Sequence, residues 1–98
     1  MSLFQQESYG KPISEQLSKY LMSYTGKEDH AKVSEKTGIS ISTIRFVASR
    51  TNTVTENNSI AMLELMKIAV INCTNTIQHA KQAKEYFEEN IPKEEIAA

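Results

Sequence analysis

Tryptophan is absent from these 98 residues, cysteine occurs once, proline and histidine twice each, and glycine three times. Each shortage removes a class of protein. The lone Cys73 can form no intramolecular disulfide, so a cystine-stapled secreted scaffold is excluded. His30 and His79 have neither cysteine nor carboxylate partners at ligand spacing; both are expected as solvated helix-surface side chains, with no metal site. Without a cluster of reactive groups no catalysis is expected either. Gly10, Gly26 and Gly38 stand far apart, which leaves no glycine-rich phosphate loop and no cofactor site. The longest apolar run, Ile68 to Ile71, is far short of the roughly 20 residues that span a bilayer, so no membrane partner is expected. The opening MSLFQQESYGK lacks the basic start and apolar run of a secretory signal, which points to the cytoplasm. The glycosylation-type triplets Asn57-Asn58-Ser59 and Asn72-Cys73-Thr74 would have no route to modification there.

What is present is charge placed unevenly and apolar side chains at helical spacing. The net charge is −1, which argues against a protein that coats nucleic acid non-specifically. Yet residues 27–52 hold five basic and three acidic side chains, and from Lys36 to Thr55 there are three basic residues and no carboxylate. Residues 53–98 hold four basic and seven acidic side chains. The positive excess falls on one short stretch.

That stretch, Glu28 to Arg50, reads as two helices around a tight turn. Glu28 and Asp29 suit a helix N-terminus, Lys36 suits a last turn, and Gly38 supplies the left-handed residue that closes a helix. Ser40 is placed to cap a second helix over 41–50, in which Ile44, Val47 and Ala48 form one buried stripe. Ile41, Ser42, Arg45, Phe46, Ser49 and Arg50 are left on the outside. These residues resemble the Cro/repressor-type helix-turn-helix of bacterial and phage regulators: Gly38 falls on its glycine, Ile39 on its turn hydrophobe, Ser40 on its cap, and Ile44 and Val47 on its buried aliphatics. Ser34 and Thr37 depart from it, standing where the family prefers alanine and a larger apolar residue.

The resemblance implies a double-stranded DNA partner, met by helix 41–50 in the major groove as part of a homodimer in a bacterial or phage-infected cell. On that reading Ile41, Ser42 and Thr43 face base edges, Arg45 reaches a guanine or a phosphate, and Lys36, Arg50, Thr51 and Asn52 contact phosphates. Ser40 and Ser49 border the same surface. Phe46 touches methyl groups or sugars there, or else meets a protein partner or is buried by the following loop.

Around the motif the expected fold is all-α, a bundle of about four helices. Residues 1–11 read as a flexible arm and 12–57 as the helix-turn-helix core, opening with a helix from Pro12 to Tyr24 that turns Ile13, Leu17, Leu21 and Tyr24 inward. Thr51 to Asn57 reads as a loop, with one strand-like run that lacks a partner. Residues 58–91 read as a long helix and 92–98 as a frayed tail. The first half of that helix should cover the core with Ile60, Leu63, Met66 and Val70. The second half has nothing left to cover, so Val70, Cys73, Ile77, Ala80, Phe87 and Ile91 are expected to meet a second copy, unless the helix breaks near Asn75 and folds back. Pairing direction is left open by the spacing. A rival reading keeps the fold and drops the DNA: a non-enzymatic adaptor or inhibitor that docks a protein on its long helix.

Overall fold

The computed structural model describes residues 8–92 and Glu94. Residues 1–7 of the expected arm, with Lys93 and 95–98 of the expected tail, lie outside the described residues. Four helices follow in order: α1 (Glu15–Tyr24), α2 (Lys27–Thr37), α3 (Ile41–Ala48) and α4 (Glu56–Asn90). α3 packs on both α1 and α2, and all three pack on the first half of α4.

Capping chemistry sets most of the boundaries. Ser14 accepts from the Leu17 amide and starts α1, so the helix begins three residues after Pro12, and Ile13 is buried from outside it. Tyr24, expected inside, is partly exposed. The Asp29 carboxylate accepts from the Gly26 amide at the start of α2, at 2.9 Å. Gly38 closes α2 at φ 77°, ψ 2°, and its N–H donates to the Ser34 carbonyl at 2.8 Å. Thr37 works beside it, donating to the Val33 carbonyl at 2.7 Å and accepting from the Ile39 amide at 3.2 Å. A hydroxyl thus holds the turn where an apolar side chain would only fill space. Thr55 and Asn58 cap α4 reciprocally, each side chain accepting from the other's backbone N–H, which moves its start ahead of Asn58 to Glu56.

The core consists of Leu21, Val33, Ile44, Val47, Ala48, Ala61, Met62 and Leu65, closed at one end by Ile13 and Val54. Val54 corrects both the expected loop and the expected arm. Gly10 donates to the Val54 carbonyl and Val54 donates to the Lys11 carbonyl, both at 2.8 Å. The partner missing from the strand-like run is therefore the segment read as free, and Tyr9 packs against the core beside it.

α4 also turns differently from expectation. Asn58, Ala61, Met62 and Leu65 face the core, while Ile60 and Val70, expected inside, are 57% and 66% exposed. The buried positions recur at three and four residues, displaced by about one position from the predicted stripe. The helix carries two apolar stripes, and the burial goes to the one that includes Ala61, small enough for close approach. Asn72 makes the last polar tie to the domain, donating to the Tyr24 carbonyl at 2.8 Å and to Asp29 at 3.2 Å. The helix does not break at Asn75. It runs for 35 residues, about 52 Å at 1.5 Å per residue, in a molecule measuring 58 × 25 × 24 Å.

α4 contains an 18-residue window of mean hydropathy 1.3 with at most two charged residues, so by length and composition it could cross a membrane. The expectation drawn from run length alone is corrected to that extent. Its first half is otherwise occupied, packing on the core and placing Glu64 between Lys36 and Lys67.

Candidate nucleic-acid interface

Helix α3 is held from both ends, and the supports decide which of its side chains remain free. At the N-terminus the Ser40 hydroxyl accepts from the Thr43 amide at 3.1 Å and donates to the Thr43 hydroxyl at 2.8 Å. Both residues are therefore used by the cap, and Thr43 is half-buried. Ile41 and Ser42 stand ahead of them in the open. Along the helix Ile44, Val47 and Ala48 are fully buried, which fixes the opposite face.

The C-terminus comes earlier than expected. α3 stops at Ala48, not at residue 50, because the chain turns through Arg50 at φ 67°. The Thr51 N–H donates to the Phe46 carbonyl at 2.8 Å and the Arg50 N–H to the Val47 carbonyl at 3.1 Å, the paired bonds of a Schellman closure. An arginine in this left-handed position costs about 1 kcal/mol relative to glycine. Its side chain offsets that: Nε donates to the Ile13 carbonyl at 2.7 Å and Nη1 reaches Glu15 at 3.5 Å. Ser18 of α1 donates to the Ala48 carbonyl at 2.6 Å, and Ser49 donates to the Phe46 carbonyl at 3.2 Å. Ser49 also shares a hydrogen bond with Thr51 at 2.9 Å, while Asn52 follows exposed.

This geometry revises the electrostatics. The acid-free interval of the sequence acquires carboxylates in space: Lys36 pairs with Glu64 at 2.9 Å and Arg50 with Glu15. Lys36 and Lys67 together hold the Glu64 carboxyl below its ordinary range. Of the three cations between Lys36 and Thr55, Arg45 alone makes no ion pair among the described residues, and its guanidinium lies 5.5 Å from the Phe46 ring centre. The open face is therefore Ile41, Ser42, Arg45 and Phe46, with Ser49 and Asn52 at its end. Sequence order joined Lys36 and Arg50 to it; three-dimensional pairing ties both elsewhere.

His30 corrects a second expectation. It is buried at 8% exposure, and its Nε2 has no hydrogen-bond partner among the described residues. Burial pushes its pKa down, Asp29 pushes it up, and the Arg45 charge pushes it down again. The sequence signal was its place three residues before the buried Val33, on the inward face of α2.

The six residues expected at a dimer seam are all on α4 or at its end. Cys73 is half-buried, and Val70, Ile77, Ala80, Phe87 and Ile91 are exposed in the single chain. No family model, curated protein or solved structure matches the chain.

Proposed function

We propose that this chain is a DNA-binding regulator that lays α3 in the major groove and acts as a homodimer. The observation that carries the reading is the open face of α3: a rigidly capped helix, buried on one side, offering an unpaired Arg45 beside Ile41, Ser42 and Phe46. An arginine can donate two hydrogen bonds to guanine, an isoleucine or phenylalanine can meet a thymine methyl, and a serine can bond either kind of base edge. Lys36 remains a phosphate contact on this reading, because a surface ion pair such as Lys36–Glu64 is weak and yields to a phosphate. Arg50 instead becomes a structural residue. Regulation is the role proposed for such a face, and the cytoplasm of a bacterial or phage-infected cell remains the proposed setting.

Selection from a random duplex pool at low salt, followed by titration of the recovered sequence, tests this. Arg45→Ala should weaken binding and relax the preferred sequence at one position, by about 1–3 kcal/mol for a bidentate base contact. Lys36→Ala should weaken all duplexes alike and lower the salt slope by about 1. Failure of the full chain to shift any duplex would overturn the reading. Glu15 and Glu64 beside two of the three cations, with Ile41 46% and Phe46 39% exposed, favour a second reading in that event: a protein-docking adaptor using the same face.

A further inference from the structure

We infer that two copies join through antiparallel α4 helices, each inserting its last turns beside the partner's α1, in the groove lined by Leu17, Tyr20, Tyr24, Val70, Cys73 and Ile77. This deepens the homodimer of the proposed function and does not depend on DNA.

The surface of the chain is the first ground. A compact monomer of 11.0 kDa has an accessible surface of about 5600 Å² on the usual size scaling. This chain has 7222 Å². The radius of gyration, 18.1 Å, likewise exceeds the roughly 12.6 Å of a compact domain of this length. The difference in area, about 1600 Å², is larger than the ~800 Å² per partner that a stable interface removes. Beyond Asn72 α4 is exposed on all sides apart from half-buried Cys73 and Ala83. The uncovered stripe of α4 runs from Val70 through Cys73, Ile77 and Ala80 to Phe87 and Ile91, interrupted by Lys84 and adjoining Leu63 and Met66, which pack partly against the core. An exposed apolar surface of this kind calls for a cover.

Charge decides the direction. Between Glu64 and Glu85 α4 has no carboxylate, only Lys67, Lys81 and Lys84, whereas Glu85, Glu88 and Glu89 crowd its end. A parallel pair in register sets those three glutamates against their own copies and meets Lys84 with Lys84 on the seam. An antiparallel pair lays each acidic end along the acid-free segment of the other helix.

The register follows from size. With the helices crossing at Gln82, Lys84 faces the small Ala80, Ile77 faces Phe87 and Cys73 faces Ile91. Lys84 can then keep its 2.9 Å pair with Glu88 at the rim. The same register sets Phe87 and Ile91 of the partner at the level of Ile77 and Cys73, where the groove opens beside Tyr24. Each protomer completes the other's apolar surface.

Sedimentation of the full chain without DNA, paired with oxidation of cysteine variants, tests the arrangement. The wild type should sediment as a dimer at tens of micromolar and form no covalent dimer, because the two Cys73 positions lie about 27 Å apart along the rod. Ile91→Cys, a change at an exposed helix end away from the core, should give a covalent dimer whose linkage maps to positions 73 and 91, within the separation that a disulfide tolerates. The double variant Cys73→Ser, Ile91→Cys should not crosslink. Phe87→Asp should raise the dimer dissociation constant about tenfold or more. A monomer at high micromolar concentration, a Cys73–Cys73 linkage in the wild type, or an Ile91→Cys dimer that resists oxidation would each overturn the proposal. A dimer that ignores every duplex would leave it standing and remove only the DNA reading.

Discussion

The two halves of α4 are built from similar helix-forming residues and live in opposite surroundings. From Glu56 to Asn72 the helix is capped, buried along Asn58, Ala61, Met62 and Leu65, and tied by Asn72 to both α1 and α2. From Cys73 to Asn90 it touches almost nothing, yet Ile77 is 69% and Phe87 61% exposed. Helix propensity cannot account for the contrast, since it acts alike on both halves. The first half derives its stability from tertiary burial. The second has matching apolar positions without the surface to receive them, and that mismatch is the reason to look for a second copy.

The largest expected effect should come from the buried half. Leu65→Ala removes a fully buried side chain at the centre of the core and should cost about 2–5 kcal/mol, read as a lower denaturant midpoint. Ile77→Ala, an equal deletion of apolar volume only twelve positions later, should leave the folding of a single chain unchanged. Equal losses at both sites would break the comparison and mean that the distal half is packed within the monomer.

A smaller loss is expected at the turn that aims α3. Gly38 has φ 77° with open space around the position of a Cβ, so Gly38→Val acts through backbone strain and not through a clash, at about 1–3 kcal/mol. Arg50 shows the same conformation tolerated by a non-glycine residue because its side chain is anchored. Arg50→Ala should therefore destabilise the domain, whereas Arg45→Ala should leave stability within about 0.5 kcal/mol and act on binding alone. Thermal melts of the three variants rank them directly.

These residues also show what could be read from the chain before folding. Gly38, Ser40, Ile44, Val47 and the length of α4 were legible because local rules govern them: a left-handed closure, a hydroxyl cap and a helical period. The long-range partners were not. Nothing local says that Glu64 reaches Lys36, that Glu15 reaches Arg50, or that Gly10 and Lys11 bond Val54, since those contacts span loops whose paths only packing decides. The rotation of α4 was missed for a related reason. Its sequence supports two stripes of similar strength, and the choice between Ala61 with Leu65 and Ile60 with Val70 depends on which face fits α1 to α3 closely.

His30 offers a milder perturbation of the buried half. Burial lowers its pKa, so the folded state favours the neutral form. The sign follows: the unfolded chain, with an ordinary value near 6.5, takes up a proton first as the pH falls, and stability declines from about pH 6.5 down to the folded-state value, where the decline stops. Above that window the full contribution is present. His30→Phe should flatten this part of the stability profile, measured by urea denaturation between pH 7 and 5. An unchanged slope in the variant would mean that other groups carry it.

The smallest effect on the domain is expected from the most drastic cut. Ending the chain after Thr76 removes Ile77, Ala80, Phe87 and Ile91, four of the stripe's apolar members, but, among the described residues, no buried side chain and no hydrogen bond to α1 or α2. The remaining domain should keep its fold, with a midpoint that no longer varies with protein concentration. The full chain behaves otherwise, because association that favours only the folded state adds stability that grows with concentration. The two proteins should therefore converge on dilution and separate at high concentration. Their DNA affinities should separate further, since two linked domains meet a second half-site at an effective concentration that a single domain lacks. A truncated chain that unfolds even when dilute would show that the distal half supports the domain from within, and would end the division of α4 into a buried half and a half that waits for its partner.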